Sequence, residues 1–486
     1  MSAVSGFGET VFKSYKEENT MNTKTRLMSL MLMLTVSAGL MSGCGGSGKT
    51  ADDANKTVIT VGNCPDSEMD PAGYDAMMDK VERFEQEHPD VKIKTDTWTF
   101  DSQSYIAKAE GGTLPTVYYV PLTEANNIMN LGYAADITEE FKARGFYDNV
   151  NEFILDNISK DGKVYFLPSG CYDVGLAMNM DLMEQAGYVE SDGTPVEPQT
   201  WQELAEMAVK VKEVTGKSGF IFPTTGNAGG WRFMPIAWSY GVEFMKQDES
   251  GKWIASFDTP ECVEALQFVK DLKWKYDVLP ANTLVDTKEI QKQMGTGECA
   301  MTFGEPTQIS RYMTYGIQPN GIGVTRIPAG PKKKVSLMGG SYFVINVDST
   351  PEQIKAAIDW REFDGDTMNL NESIKTNIAK DIETKKANNE IIGLQTLSPW
   401  KSDCEVNTYK ADEYGKNSNV NMNHIKLYND KNGIEYQAEE PIDAQALYAL
   451  LDACIQEVLT NKDADCAALI HKAAADFQQN NLDYAK

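Results

Sequence analysis

The chain has 486 residues, 42% hydrophobic and 24% charged, with a formal charge of −26. That length suits two α/β lobes or one large domain rather than one small core. The composition is globular, and the acid excess excludes nucleic acid as a partner, because neutralising phosphates needs clustered Lys and Arg. The acidity reads as solubility and self-repulsion, with weak attraction of cations or basic partners as the other reading.

Lys24 and Arg26 precede an apolar run over 27–40. The run is too short to span a bilayer and has the length of a signal core. Leu40-Met41-Ser42-Gly43-Cys44 follows, then a Gly-rich stretch. This resembles a bacterial lipobox, with Met41 a mild departure from the commonest pattern. Residues 1–44 are therefore read as a signal region starting at Met21, with Cys44 as the lipidation site, and 45–56 as a flexible tether. A plain secretory signal or an uncleaved helix is the alternative. Seven cysteines follow, at Cys64, Cys171, Cys262, Cys299, Cys404, Cys454 and Cys466. Their number is odd, and no CxxC or zinc spacing appears. Unpaired cysteines in an exported chain point to a reducing habitat. His88, His424 and His471 are isolated, and the sequence implies no metal and no cofactor.

In chain order, 57–61 is a β-branched strand and 74–84 a helix by its apolar spacing. His88-Pro89-Asp90 stops that helix, and 91–95 is the next strand, which makes one βαβ unit and a parallel sheet. A short helix over 105–109 precedes a buried strand over 117–120 and a helix over 123–129. The stretch 165–188 reads as a strand, a Pro168-Ser169-Gly170 turn, a second apolar strand and a helix opened by Asp181. It is expected to cross between two lobes and to line a ligand cleft. Thr200 with Glu203, and Thr350 with Gln353, mark capped helix starts. Strands are expected at 219–222, 253–257 and 299–303, a Gly-rich loop at 226–232, and helices from 235, 259 and 289. A second crossing is expected at 321–328, and a strand entered through Gly339-Gly340 at 339–346. The polar region 371–433 has weak periodicity. Two amphipathic helices close the chain, with Cys454 on one apolar face and Cys466 on the other.

Several pieces now stand in a recognisable order: 84–93 with His88-Pro89-Asp90, Gly111-Gly112-Thr113-Leu114-Pro115, Leu131-Gly132-Tyr133-Ala134-Ala135-Asp136-Ile137, then 165–188, 198–204, Gly297-Glu298-Cys299-Ala300-Met301-Thr302 and Gly339-Gly340-Ser341. Each alone is weak, but together, behind a lipobox, they are specific. From about 58 to 358 the chain resembles the extracellular solute-binding proteins of bacterial ABC importers, of the sugar and oligosaccharide, maltodextrin-binding type. The resemblance implies an α/β, two-lobed, periplasmic-binding-protein-like fold (type II), with crossing strands and a ligand cleft between the lobes. Residues 57–167 and 322–365 would form lobe one, and 172–319 and 366–486 lobe two. It implies a non-enzymatic, monomeric binding lipoprotein at the outer face of the cytoplasmic membrane, with a sugar or oligosaccharide as ligand and the ABC permease subunits as partners.

A sugar has a rim of hydroxyls and apolar C–H faces, so its binder needs amides and carboxylates together with flat aromatics. Eight residues are the candidates. Trp231, after Gly229-Gly230, looks like a stacking position of the family, with the core as its other reading. Arg232 would fork onto a hydroxyl pair or carboxylate, or make a surface salt bridge. Tyr172 and Asp173 lie just past the first crossing. Asp66 and Glu305 resemble family contact positions in loops. Tyr342 follows the glycine pair, and Trp400 stands where the family often places another aromatic. Trp201, Trp274 and Trp360 read as packing residues. The rival readings are a secreted glycosidase using two carboxylates, for which no pair stands out, and a binding lipoprotein for a sensor or adhesion, or for a peptide, polyamine or metal.

Overall fold

A computed structural model describes residues 56–101 and 104–485. The signal region, Cys44 and the tether up to 55 lie outside the described residues.

The β-branched strand Thr57–Val61 pairs in parallel with Val91–Thr95, from Thr57 opposite Val91 to Val61 opposite Thr95. Between them runs the helix Pro71–Glu87. Asp70 caps it by accepting the Gly73 N–H, and the chain leaves it at His88. Val117–Pro121 adds to the other side of Thr57–Val61, again in parallel. The carboxyl ends of all three strands therefore face one way. The long strand Val335–Ile345 joins antiparallel to Val117–Pro121 and completes the central part of a six-stranded sheet. Its core holds Ile59, Phe84, Tyr118, Phe141, Phe166 and Trp360.

The second sheet has three antiparallel strands, Met301–Gly304, Gly175–Asn179 and Ile322–Thr325. Every residue in them is buried. Helices Trp201–Thr215, Ala228–Tyr240, Pro260–Trp274, Ala444–Thr460 and Cys466–Asn480 build the core of this lobe around Leu204, Trp238, Leu266, Phe303 and Leu451. The capped starts have the expected chemistry. Thr350 and Gln353 form a reciprocal capping box. At Thr200 the hydroxyl accepts the Glu203 N–H, but the Glu203 carboxylate reaches back to the Gln199 N–H.

The stretch 165–188 crosses between the sheets. Phe166–Asp173 pairs with Val335–Ile345 in the first, and Gly175–Asn179 belongs to the second. The second crossing lies elsewhere than expected. Ile322–Thr325 pairs with Gly175–Asn179, so 322–325 belongs to the second lobe, not the first. The chain changes sides within Val335–Ile345, whose first half pairs with Glu435–Ala438 and whose second half pairs with Val117–Pro121. An apolar buried strand reads alike in either lobe, which is why the pattern at 321–328 misled. The strand expected at 219–222 forms no ladder; it is held by Ile221 N–H to Met301 O and by the Thr302 hydroxyl to Ile221 O.

The polar region 371–433 contains three helices, Glu372–Ala387, Glu405–Lys416 and Met422–Asn429. The first two share a small core of Ile374, Ile378, Ile382, Val406 and Tyr414. The segment serves both lobes, since Leu397 and Trp400 pack in the first core while Leu394 and Tyr428 pack behind the second sheet. Assigning everything beyond 366 to lobe two is therefore corrected. The seven described cysteines are all free. Among the described residues no helix is long and apolar enough to cross a membrane.

Candidate functional site

A cleft of about 440 Å³ opens where the crossing strands meet the carboxyl ends of the first sheet. Phe100 and Asp101 come from the loop after Val91–Thr95. Pro121, Leu122, Thr123 and Glu124 end the strand Val117–Pro121 and start the next turn. Tyr172 and Gly340 come from the two crossing strands, and Glu439 and Gln445 from the entry to the helix Ala444–Thr460. The site thus draws on both lobes. It lies outside the carboxyl ends of parallel strands, where open α/β sheets bind ligands.

Tyr172 is the sequence candidate that lines this cleft. Its ring lies across Gly339 of the neighbouring strand, so closely that a Cβ there would stand 2.2 Å from the phenol. Gly339 is therefore needed for close approach. Gly340, at φ +150°, carries the register shift in the same ladder. Burial, with Glu439 and Glu305 nearby, pushes the Tyr172 phenol well above its ordinary range.

Trp231 stands behind the cleft wall. Its ring is half-buried against the second core, and its indole N–H donates to Glu439 Oε1 at 3.3 Å. It is not on a loop, as expected, but in the first turns of the helix Ala228–Tyr240. Gly229 and Gly230 serve contact rather than flexibility there, since a Cβ on Gly230 would meet the Tyr448 carbonyl oxygen at 2.3 Å. Asp452 from that facing helix accepts the N–H groups of Asn227 and Gly230, at 2.8 and 2.6 Å. It caps the helix from outside.

The other candidates are occupied. Arg232 is buried, with Nε donating to the Phe303 carbonyl at 3.2 Å and a guanidinium nitrogen to Gln308 Oε1 at 2.5 Å. Burial lowers its pKa to about 10. It is neither a cleft fork nor a surface salt bridge, because its donors close a gap inside the lobe. Glu305 caps the short helix Pro306–Ser310 by accepting the Thr307 and Gln308 N–H groups, both at 2.7 Å. The Asp173 carboxylate is buried against Lys431, at 2.9 Å, and accepts the Tyr428 hydroxyl, also at 2.9 Å. Asp66 turns its carboxylate onto the N–H groups of Glu68 and Met69, which hold its pKa low.

Two aromatic expectations are corrected outright. Tyr342 is fully buried against Phe166, and its hydroxyl has no partner among the described residues. Trp400 is buried against Phe146, at 4.9 Å between centroids. Neither offers a ring face to a ligand, because each fills the first core. Trp201, Trp360 and Trp274 are packing residues, as expected, the first two in the cores and Trp274 at the surface with its N–H on the Val458 carbonyl.

Sequence reasoning missed Phe100, Asp101, Glu124, Glu439 and Gln445. The rule that ligands sit at strand carboxyl ends pointed to the first three. Nothing local marks Glu439. It is held by Trp231 and by the Tyr448 hydroxyl, at 2.7 Å from Oε2. Burial raises the pKa of Glu439, and burial with Asp443 nearby raises that of Glu124. None of the ten lining residues is Lys, Arg or His. Among the described residues no group of three or more His, Cys, Asp and Glu is arranged to hold a metal ion.

Two α/β lobes, strands crossing between them and a cleft at the junction define a two-lobed binding fold of type II. The chain belongs to the bacterial extracellular solute-binding protein family, which it matches over residues 70–361. It is 27% identical over 212 residues to the arabinooligosaccharide-binding protein of Bacillus subtilis (strain 168), covering 42% of this chain and 46% of that one. It is 24% identical over 277 residues to the sn-glycerol-3-phosphate-binding periplasmic protein UgpB of Escherichia coli (strain K12), covering 54% and 60%. The match thus spans about half the length of these curated relatives. In fold, the chain is similar to the cyclic alpha-maltosyl-1,6-maltose binding protein from Arthrobacter globiformis. There the TM-score is 0.61 at 18% identity, over 87% of this chain and 100% of that one.

Proposed function

We propose that this protein is the capture component of a bacterial ABC importer and not an enzyme. It takes a sugar or oligosaccharide into the interlobe cleft, closes by hinge motion and hands the solute to the permease. It works as a monomer, held at the outer face of the membrane by a lipid on Cys44. The observation that carries the reading is the cleft of about 440 Å³, walled by both lobes and lined by Tyr172, Phe100, three carboxylates and the Gln445 amide. Rings suit the C–H faces of a sugar, and carboxylates and amides suit its hydroxyl rim. Family membership and the oligosaccharide bound by one named relative support it.

A thermal-shift screen over mono- and oligosaccharides tests it. A ligand that binds the native state raises the melting temperature by mass action, about 2.7 kcal/mol of stabilisation at a hundredfold excess over Kd. At least one sugar is expected to do so with no product formed on long incubation. Steady turnover of the sugar would make the protein an enzyme instead, and a panel with no shift at all would remove sugars from the reading.

A further inference from the structure

Among the described residues the walls of the cleft carry Asp101, Glu124 and Glu439 and no basic residue. Glu439 is fixed from behind by two donors, the Trp231 indole and the Tyr448 hydroxyl. Those bonds use one lone pair on each oxygen, and a carboxylate has about four acceptor positions. Glu124 has one weak donor, the Asn127 amide at 3.4 Å. Among the described residues neither carboxylate forms an ion pair, although the molecule has many. Asp173 and Glu197, both buried, are each matched by Lys or Arg, and so is the half-buried Asp366. A desolvated carboxylate without a counter-charge is costly. Here two of them line one cavity, one from the first lobe and one from the entry to the helix Ala444–Thr460. A cation in that cavity would recover part of that cost, and an anion would add to it. Burial holds both carboxyls above their ordinary range, in keeping with this strain.

We propose that Glu439 and Glu124 set the charge of the solute, so that the cleft selects a sugar bearing a protonated amine and rejects phosphate- and carboxylate-bearing ones. This rests on the carbohydrate reading above and narrows it. It also separates this chain from its glycerol-phosphate-binding relative, since a phosphate would find no cation on the walls. Specificity of this kind comes from the repulsive element as much as from the attractive one.

The test is calorimetry on the purified protein with sets of sugars matched except in charge: glucosamine, glucose and glucuronic acid, the corresponding galactose set, and trimers of each, with spermidine as a sugar-free cation. The amine-bearing member of at least one set is expected to bind about tenfold or more tightly than its neutral partner, and the acid not measurably. Glu439→Gln and Glu124→Gln, both near-isosteric, are expected to shrink that ratio. A merely structural role would weaken both sugars in proportion and leave the ratio unchanged. Neutral sugars binding as tightly as their amines, or acids binding best, would overturn the charge assignment and leave the carbohydrate reading standing. Spermidine binding where no sugar does would overturn both.

Discussion

Glu440, next to the cleft residue Glu439, shows how finely burial sorts neighbouring side chains. Its carboxyl is buried, accepts the Trp238 indole N–H at 3.1 Å and is repelled by Glu243. Burial first, and then that repulsion, push its pKa from 4.5 to about 7. Between those values the unfolded chain has released a proton that the folded chain still holds. Stability therefore falls as pH rises through the window. It is full below about pH 4.5 and lost above about pH 7, to the extent of roughly 3 kcal/mol. Glu440→Gln should match the parent near pH 4 and melt higher above pH 7; equal melting temperatures at pH 8 would contradict this. The candidate residues teach the same lesson. Tyr172, Trp231 and Glu305 were legible as exceptional, because polar or aromatic groups beside glycines and prolines stand out. What each does was not legible. Glu305 spends its carboxylate on two backbone N–H groups, and Trp231 spends its indole on Glu439.

The helices Ala228–Tyr240 and Ala444–Thr460 bring Trp231 and Glu439 together, and their closeness depends on glycine. Gly230 faces the Tyr448 backbone, where a Cβ would come within 2.6 Å of the Cα and 2.3 Å of the oxygen. Backbone cannot step aside as a flexible side chain can. Gly230→Ala should therefore destabilise the protein, by roughly 1–3 kcal/mol as overpacking does. Gly415 lies in the helix Glu405–Lys416 with nothing within 4 Å of an added Cβ. Gly415→Ala should stabilise by roughly 0.5–1 kcal/mol, since glycine is a poor helix former. Denaturant melts of the two variants would show opposite shifts, and shifts of the same sign would refute the close-approach account. The sequence marked helices and caps well here, because apolar periodicity and capping residues are local. It read Gly229-Gly230 as a loop because glycine is common both in loops and at tight helix contacts, and only the partner helix tells which.

In the whole molecule, three strands run through the junction of the lobes. Phe166–Asp173 leads directly into Gly175–Asn179, while Val335–Ile345 and Glu435–Ala438 pair alongside. Beside them Lys431 and Tyr428 hold the end of the first crossing through Asp173. The segment 366–434 thus adds a helical buttress to the joint. Such a junction favours rigid lobes moving about a few strands. A sugar that stabilises the protein should also reduce its radius of gyration in solution scattering. Superimposable profiles with and without a saturating ligand would argue for a preformed, immobile cleft.

By itself the sequence determined the alternation of strands and helices, the first crossing at 165–188 and the family. Those features are written in short-range periodicity, in caps and in ordered motifs. Only the tertiary structure decided where the second crossing runs, that Tyr342 and Trp400 are core, and which side chains wall the cleft. Phe100, Glu124, Tyr172, Gly340 and Glu439 lie far apart along the chain and share no period. Their common surface exists only once the crossing strands have brought the two lobes together.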